Sequence, residues 1–572
     1  MRRLACCIAL APWLAAAAAP CPDREPLRRP YFGDLHVHTA FSHDASTQGT
    51  RNLPRDAYRF ARGEPLGIQP YGADGQPLRT LQLARPLDFA AVTDHAELLG
   101  EVRTCETPGL PGHDSLICRV HRLWPRLSFF LINTHVSRGT GRRMGFCGPD
   151  GSLCLEAALS PWREIVDAAG AADERCRFTT FIGYEWTASV VGRNLHRNVL
   201  FANERVPALP TSYYEATTPA ALWEALRAGC TEAGTGCDAL VIPHNSNLSA
   251  GLMFRLGDED PRLRAAWEPL VEVMQHKGDS ECWYGPGAQD ELCAFEQLPF
   301  DSFRGKFVPF LRHEPRREDY VRSALLEGLV RRARDGVNPF KMGQIASTDT
   351  HLGTPGAVEE DRHPGHGGAG APSPDRLPEG LPDDVFFNPG GLAAIWAEEN
   401  TRESLFAALR RREVYGTSGP RMAVRMFGGR ALPPDLCSRP DLAAAGYAAG
   451  VPMGGDLPAG AGAPLLVVAA LRDPAGAPLE RIQIVKGWVE GDEARERVLD
   501  VARGPADDLC AAWRDPDFDP ASPAFYYARV LEVPTPRWHT YACRAQGLDC
   551  SDLGVPDTIR ERAWTSPIWY EP

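Results

Sequence analysis

The 572-residue sequence lacks several motifs that would assign it to a common class of enzyme. It has no Gly-x-Ser-x-Gly segment, which argues against the nucleophile elbow of the α/β-hydrolases. It has no glycine-rich phosphate loop of the Walker type. It also has no Cys-x-x-Cys pair, so a structural zinc site built on such pairs is not expected. The chemistry of this protein must therefore come from other side chains.

Basic runs and basic helical faces are not evident either, and the formal net charge is −13. Binding to a nucleic acid backbone relies on clustered lysines or arginines, so we expect no nucleic acid partner. Beyond the N-terminal segment, no apolar run is long enough for a transmembrane helix, and we expect no integral membrane segment in the mature chain. The oligomeric state is left open by the sequence.

The N-terminal residues are typical of a secretory signal. Met1-Arg2-Arg3 precedes an apolar, alanine-rich stretch that ends in small residues before Pro20. We expect residues 1–19 to be a signal peptide with cleavage near Ala19, which places the mature protein in the periplasm or outside the cell. A lipoprotein signal would need a small residue before Cys21, where Pro20 stands, so lipidation is the less favoured alternative.

Cysteine is frequent, with sixteen residues, of which Cys6 and Cys7 would leave with the signal. In an oxidising compartment, the fourteen others indicate disulfides. Five pairs lie close in sequence: Cys105 with Cys118, Cys147 with Cys154, Cys230 with Cys237, Cys282 with Cys293, and Cys543 with Cys550. Sequence alone does not determine the connectivity.

Two histidines separated by one residue are the most informative feature that is present. His36 and His38 follow a short apolar segment. Alternate residues of an extended strand face the same side, so the two imidazoles are suited to bind one metal ion.

Other apolar, strand-like runs also end in metal-ligand residue types. These residues are Asp94, His95, Glu185, His244, Asp349 and His351, and His196 enters a further apolar stretch. Helical patterns at 220–227 and 322–329 lie between such runs. When parallel strands alternate with helices around a barrel, their carboxyl ends meet at one face. The pattern therefore predicts an α/β barrel with a metal site at that face.

The order of these motifs resembles that of the PHP (polymerase and histidinol phosphatase) superfamily. The segments that carry the resemblance are His36-x-His38, Thr93-Asp94-His95, Glu185, His196, Pro243-His244-Asn245 and Ser347-x-Asp349-x-His351. Residues 183–187, 196–199, 273–282, 412–421 and 563–570 are similar to an exported branch known only as a domain of unknown function (DUF3604-like). The resemblance covers nearly the whole mature chain, and it is specific for the fold and the metal site but weak for the substrate.

The resemblance implies a distorted PHP-type (β/α)7 barrel, which we place at residues 30–420. The barrel would carry long insertions that line the active site, within 43–88, 97–162 and 353–389. Residues 421–572 contain short apolar strands punctuated by Pro and Gly. We predict that they form a β-rich, sandwich-like domain packed on the barrel.

The resemblance also implies a set of metal ligands for two or three divalent ions. The implied ligands are His36, His38, Asp44, His95, Glu185, His196, His244, Asp349 and His351. Glu185 would bridge the metals. His43 is an alternative to Asp44, and the spacing of six residues from His38 favours Asp44. Zn or Mn is the expected metal, and Fe or Co would suit the same ligands.

Polar residues beside these ligands are candidates for substrate binding and catalysis. Arg197, Asn245, Asn247 and Lys277 are candidates for phosphate contacts, and His276 for a catalytic acid or substrate ligand. Asp94 is expected to orient His95 or a neighbouring ligand. His363 and His366 lie in a Gly- and Pro-rich segment, where we expect exposed loop histidines.

These features together predict an exported metal-dependent hydrolase of a small, phosphorylated ester. The resemblance favours a phosphoesterase (EC 3.1) acting on a phosphomonoester, phosphodiester or phosphonate monoester through metal-activated water. A metal-dependent hydrolase of a carboxylic ester, amide or lactone is the alternative enzyme. A non-catalytic, metal-stabilised binding protein is the alternative of another class.

Overall fold

The computed structural model describes residues 19–138, 141–257, 259–368 and 380–572. The predicted signal peptide, apart from Ala19, lies outside the described residues. The described helices are α1 (His43–Ser46), α2 (Pro54–Ala61), α3 (Leu99–Glu106), α4 (Leu116–Leu123), α5 (Pro125–Ser137), α6 (Ser152–Ala172), α7 (Pro219–Leu226), α8 (Pro261–Trp267), α9 (Phe303–Phe307), α10 (Val321–Asp335), α11 (Arg402–Arg410), α12 (Leu442–Ala449) and α13 (Trp538–Gln546).

The described strands, in chain order, are β1 (Arg29–Asp34), β2 (Leu66–Tyr71), β3 (Pro77–Leu81), β4 (Phe89–Val92), β5 (Thr179–Trp186), β6 (Ser189–Val190), β7 (Arg193–Asn194), β8 (Arg197–Phe201), β9 (Ala239–Pro243), β10 (Leu270–Gln275), β11 (Gly278–Asp279), β12 (Gly343–Ala346), β13 (Leu392–Ala397), β14 (Val414–Thr417), β15 (Ala423–Gly429), β16 (Val451–Pro452), β17 (Asp456–Leu457), β18 (Leu465–Leu471), β19 (Leu479–Glu490), β20 (Glu493–Ala506), β21 (Asp508–Arg514), β22 (Ala524–Glu532), β23 (Thr535–Pro536), β24 (Thr558–Ile559), β25 (Arg562–Thr565) and β26 (Ile568–Tyr570).

A large mixed sheet forms the frame of the molecule. β1, β4 and β5 pair in parallel, and β8 and β9 extend this sheet through antiparallel pairing. On its other side, β1 pairs with β13, and the sheet continues through β14 and β25 to β22. β10 and β12 pair in parallel in a separate three-stranded sheet. The ladders of the described residues do not close into one barrel, so the fold shown is mixed α/β and the predicted (β/α)7 barrel is not confirmed.

The central strands are buried on both faces, which explains their continuous apolar sequences. Leu240 and Val241 are neighbours on β9, yet they belong to different hydrophobic cores. Successive side chains of a strand point to opposite faces, so one strand contributes to both cores. Trp162 and Ile165 of α6 cover the core that contains Val241. Packing on both faces thus holds the strand ends in a fixed arrangement.

The C-terminal part is rich in strands. β15, β16, β18 and β21 form a four-stranded antiparallel sheet. Met426 and Val468 of this sheet share a hydrophobic core with Ile482 of β19 and Val530 of β22. Because β22 also belongs to the large sheet, the N-terminal and C-terminal parts share backbone hydrogen bonds. The domain boundary at 420/421 stays a prediction.

Seven disulfides join the fourteen described cysteines. Five of them are the pairs that lie close in sequence. The other two, Cys21–Cys176 and Cys437–Cys510, join cysteines 155 and 73 residues apart. Cys21 is thus bonded to another cysteine, which leaves no free thiol for a lipid. This number of disulfides is typical of a protein in an oxidising, extracytoplasmic compartment.

A helix that crosses a bilayer must be both long and apolar. No helix in the described part of the chain meets both requirements.

Candidate metal centre

Strand ends bring the nine implied metal ligands together. His36 and His38 follow β1, His95 follows β4, and Glu185 is the second-last residue of β5. β8 runs antiparallel to β5, which differs from the all-parallel arrangement expected from the sequence. His196 precedes β8, and the start of an antiparallel strand lies beside the carboxyl ends of its neighbours. His196 therefore joins the same cluster.

Glu185 lies at the centre of this cluster and is 1% exposed. Five imidazole nitrogens lie 2.7–3.3 Å from its carboxylate oxygens, and they belong to His36, His38, His95, His196 and His244. Oε2 faces the first three of these rings, and Oε1 faces the other two. Both carboxylate oxygens of Glu185 thus face ring nitrogens of the implied ligands.

Asp44 forms a second carboxylate corner of the cluster. Its Oδ2 lies 3.2 Å from His95 Nε2 and 2.9 Å from His351 Nε2. The neighbouring His43 makes no hydrogen bond with either ring nitrogen among the described residues. His43 instead lies parallel to the ring of Phe129, with centroids 6.4 Å apart. The position after the His36-x-His38 pair is thus taken by Asp44 in this arrangement.

Asp349 forms the third carboxylate corner. Its Oδ1 lies 3.3 Å from His36 Nε2 and 3.2 Å from His38 Nε2. Its Oδ2 lies 3.3 Å from His276 Nε2 and also pairs with the ammonium of Lys277. Asp349 therefore joins the His36-x-His38 pair to a cationic side chain at the edge of the cluster.

The donor atoms of the cluster fit divalent cations. The ligand atoms of His36, Glu185 and His244 lie within 4.8 Å of one another, and so do those of two sets that include His38. Burial lowers the pKa of His196 and of His351 to about 4, so these two rings are neutral near neutral pH. At His36 and His95, in contrast, the surrounding carboxylates outweigh burial and raise the pKa. Neutral imidazole nitrogens and carboxylate oxygens are ligands for Zn, Mn, Fe and Co.

Neighbouring polar residues hold the ligand rings in place. Asp94 accepts hydrogen bonds from the Thr39 amide (2.7 Å) and from Ser42 Oγ (2.6 Å). Ser42 Oγ in turn lies 2.9 Å from Nδ1 of His38. The expectation that Asp94 orients a ligand thus corresponds to a contact through Ser42 with His38. Such outer partners fix the orientation and tautomer of a metal-binding histidine.

Glu272 was not anticipated from the sequence. It lies in β10 and is 1% exposed, and its carboxylate oxygens are 3.2 Å from Nδ1 of His36. The signal that indicates it is a single carboxylate within the apolar run 270–274. A charged residue in a buried strand needs a partner, and here the partner is a ligand histidine.

Three polar residues expected to bind substrate point elsewhere, which corrects those predictions. Arg197 is fully buried and donates to Glu268 Oε1 at 2.7 Å and to the Leu195 carbonyl at 2.6 Å. Asn245 adopts a left-handed backbone (φ 55°), and its side-chain oxygen accepts from Asn194. Asn247 binds the Lys277 carbonyl and Ser280. Their hydrogen-bond partners lie in the segments before β8 and β10 and in the segment that follows β10.

His276 and Lys277 occupy different positions. Lys277 lines the cavity next to the cluster. His276 is not part of the cavity lining, and its ring stacks on His366 with centroids 4.1 Å apart. Burial and the neighbouring Lys277 lower the pKa of His276 well below its usual value. Lys277 is therefore better placed than His276 to contact a substrate.

The predicted exposure of His363 and His366 is wrong. Both side chains are at most 4% exposed, and both contact Asp383. His366 also lines the cavity beside His351. Asp383 and the stacked ring of His276 hold this part of the insertion against the cluster, which the sequence pattern of Gly and Pro did not reveal.

The cluster forms one end of a cavity of about 410 Å³. Ligand residues, with Lys277, line this end. The opposite wall is largely apolar and comes from α5, from the β6–β7 turn and from the α9 region, through Phe129, Phe130, Val136, Val191, Phe303 and Val308. The cavity thus combines a polar, ligand-rich end with an apolar wall, of which the insertion 97–162 supplies the part formed by α5.

The chain matches the model of a family described as "Protein of unknown function (DUF3604)" over residues 25–508 and again over 503–572. It belongs to this family. The matched residues include all nine implied ligands of the cluster. No curated protein shows a significant match to this DUF3604 member.

One solved structure is similar to this DUF3604 protein at a TM-score of 0.30 and 10% sequence identity. It is a two-domain protein containing a predicted PHP-like metal-dependent phosphoesterase from Bacteroides vulgatus ATCC 8482. The similarity covers 89% of this chain and 94% of that chain.

Proposed function

We propose that this protein is an exported, metal-dependent hydrolase of the PHP superfamily and that it acts on phosphate or phosphonate esters. The observation that carries the proposal is the cluster around Glu185, in which five imidazole nitrogens surround one buried carboxylate. Structural buried carboxylates are normally paired with guanidinium, hydroxyl or amide donors, whereas imidazole nitrogens are metal ligands. A set of this size is better explained as a ligand set for two or three cations.

The protein's own residues would divide the work in the following way. Glu185, Asp44 and Asp349, together with the six histidines, would hold the ions. Bound divalent ions would supply the acidity that activates water and the positive charge that stabilises a developing oxyanion. Lys277, at the cavity wall, would attract an anionic ester group towards the cluster. The apolar wall would limit the access of bulk water.

The test measures metal content and turnover together. We expect stoichiometric Zn or Mn and hydrolysis of at least one member of a panel of phosphomonoesters, phosphodiesters and phosphonate monoesters. Removal of the metal with a chelator should abolish turnover, and returning Zn or Mn should restore it. Glu185→Gln should lower activity by at least about 100-fold, because even residues that only support ligands contribute 10- to 100-fold.

Glu403→Gln is the matched control, because the Glu403 side chain is 79% exposed and pairs with Arg175, which is not part of the cluster. It should retain wild-type activity and metal content. Hydrolysis of carboxylic esters, amides or lactones alone would identify the alternative enzyme. Stoichiometric metal without turnover of any panel member would contradict the proposal and favour a binding protein.

A further inference from the structure

Exposed large apolar side chains concentrate on one helical hairpin, which consists of α4 and α5 and spans residues 115–138. Six of its residues are 44–80% exposed: Leu116, Leu123, Trp124, Leu127, Phe130 and Leu131. Apolar patches of this kind on a protein surface mark sites of interaction. The hairpin belongs to the insertion 97–162, which supplies part of the apolar cavity wall.

The hairpin is also basic, although the whole chain carries a net charge of −13. Residues 115–138 contain four arginines (119, 122, 126 and 138) and no Asp or Glu, and Arg142 follows. The expectation of no basic run and no basic helical face did not anticipate this locally basic segment. Averaging over a long acidic chain hid a short basic segment.

The apolar residues of α5 form an organised surface. Leu127 and Leu131 are four residues apart and lie on the same face of the helix. On the opposite side, Ile132 and Val136 are buried against the body of the protein. Leu123 and Trp124 extend the outer surface at the junction of the two helices. Leucine and tryptophan beside arginine are typical of helices that lie in a membrane interface.

This outer surface is continuous with the cavity. Phe130 is 53% exposed and also lines the cavity, and the same is true of Val191, which is 44% exposed. The Val191 amide donates to the Ser137 carbonyl at 3.0 Å, which joins the end of α5 to the rim. An apolar path therefore leads from the exposed hairpin to the end of the cavity formed by Asp44 and His95.

We propose that the hairpin docks on an anionic lipid surface and that the cavity receives the apolar part of an amphiphilic substrate from that surface. The arginines complement anionic headgroups, and the leucines and Trp124 enter the apolar boundary. A two-fold interface with a second copy would place these arginines close to one another, which costs free energy. A nucleic acid would leave the leucines without an apolar partner. The substrate part of this inference rests on the proposed function.

Docking is tested with the full exported protein by cosedimentation with phosphatidylcholine vesicles that contain or lack phosphatidylglycerol. We expect binding to the vesicles with phosphatidylglycerol, weaker binding at high salt, and little binding to phosphatidylcholine alone. Equal binding to both kinds of vesicle, or no binding to either, would overturn the proposal.

Two sets of variants separate the contributions. Trp124→Ala combined with Leu127→Ala should weaken binding by about tenfold or more, because two large apolar groups no longer enter the interface. Arg119→Gln and Arg138→Gln, both at exposed positions, should each weaken binding by about fivefold. Leu471→Ala and Arg495→Gln are matched controls at exposed sites on β18 and β20, and they should bind as the wild type does.

The alternative partner is a second copy of this chain. If the protein bound no vesicles but formed a dimer, and the double variant Trp124→Ala/Leu127→Ala dissociated that dimer, lipid docking would be overturned. Likewise, binding to an acidic protein or a nucleic acid but not to vesicles would overturn it. Because cosedimentation needs neither metal nor turnover, docking can succeed even if the proposed function fails. Conversely, hydrolysis of soluble esters by a protein that does not bind vesicles would support the proposed function and overturn docking.

The substrate class is tested with a series of n-alkyl phosphates of increasing chain length. We expect kcat/KM to rise by about fourfold for each added methylene until the cavity is filled, because each buried methylene contributes about 0.8 kcal/mol to binding. Turnover that does not depend on chain length would leave the proposed function intact and overturn the amphiphilic substrate.

Discussion

At the residue scale, the cluster depends on partners that are not ligands themselves. His38 Nδ1 lies beside Ser42 Oγ, which donates to Asp94, and His36 Nδ1 lies beside Glu272. Each of these contacts is made by the ring nitrogen that does not face Glu185. The outer partners therefore select which nitrogen is offered to a metal.

Ser42→Ala tests this dependence. The variant removes the contact between His38 and Asp94 without changing a ligand, so we expect metal affinity to fall by about 10- to 100-fold. The measurement is competition for metal with a coloured chelator. Ser46→Ala is the control in α1, which begins directly after Ser42; Ser46 Oγ donates to the His43 carbonyl (3.2 Å), and the variant should have wild-type affinity. An unchanged affinity for Ser42→Ala would show that Ser42 does not position His38.

At the scale of elements, a buried charge network joins α10 to the C-terminal strands. Glu281 accepts hydrogen bonds from Arg322 of α10 (2.6 Å), Tyr527 and Arg529 of β22 (2.5 and 3.1 Å) and Trp564 of β25 (2.8 Å). All of these side chains are at most 3% exposed. One carboxylate thus holds together elements from both parts of the chain.

Glu281→Gln should lower the free energy of unfolding by about 3 kcal/mol, because two buried guanidinium groups lose one of their carboxylate partners and keep Asp290. Chemical denaturation followed by tryptophan fluorescence measures this change. Glu327→Gln is the control on α10, where a 45% exposed side chain pairs with Arg331. Such surface pairs contribute about 0.5 kcal/mol or less. Equal losses in both variants would contradict a special role for the buried network.

The same network predicts a pH dependence. Burial raises the pKa of Glu281, but the charges of Arg529 and Arg322 outweigh burial and hold the pKa below its usual value. A carboxyl with a depressed pKa stabilises the folded state above its ordinary pKa, and this stabilisation is lost as the pH falls towards the folded-state pKa. The wild type should therefore lose more stability on acidification than Glu281→Gln does.

At the scale of the whole molecule, two long-range disulfides constrain the chain. Cys21–Cys176 closes a loop of 155 residues and ties the N-terminal segment to the start of β5. Cys437–Cys510 joins the segment before α12 to β21 across 73 residues. These bonds restrict the unfolded chain far more than the short-range pairs do.

Replacing both Cys21 and Cys176 by Ser should lower the free energy of unfolding by about 5 kcal/mol, according to the loop-entropy relation. Replacing both Cys543 and Cys550, which are seven residues apart, should cost about 2 kcal/mol. Denaturant midpoints of the two double variants give the comparison. A similar loss in both would show that loop length does not determine the contribution.

Much of the site was accessible from the sequence because its ligands follow local rules. The spacing of His36 and His38 and the ligand residues after apolar runs depend only on strand geometry and strand ends. Arg197 and Asn245 were assigned wrongly because adjacency to a ligand does not determine side-chain direction. Glu268 and Asn194, which hold these two residues, lie 71 and 51 residues away in the chain.

The sequence by itself determined the residue types of the candidate metal cluster, the alternation of strands and helices, and the disulfide-rich character of the chain. Only the tertiary structure decided the antiparallel direction of β8, the burial of His366 and the position of the α4–α5 hairpin beside the cavity. These features depend on contacts between segments distant in sequence, and local periodicity carries no information about which segments meet.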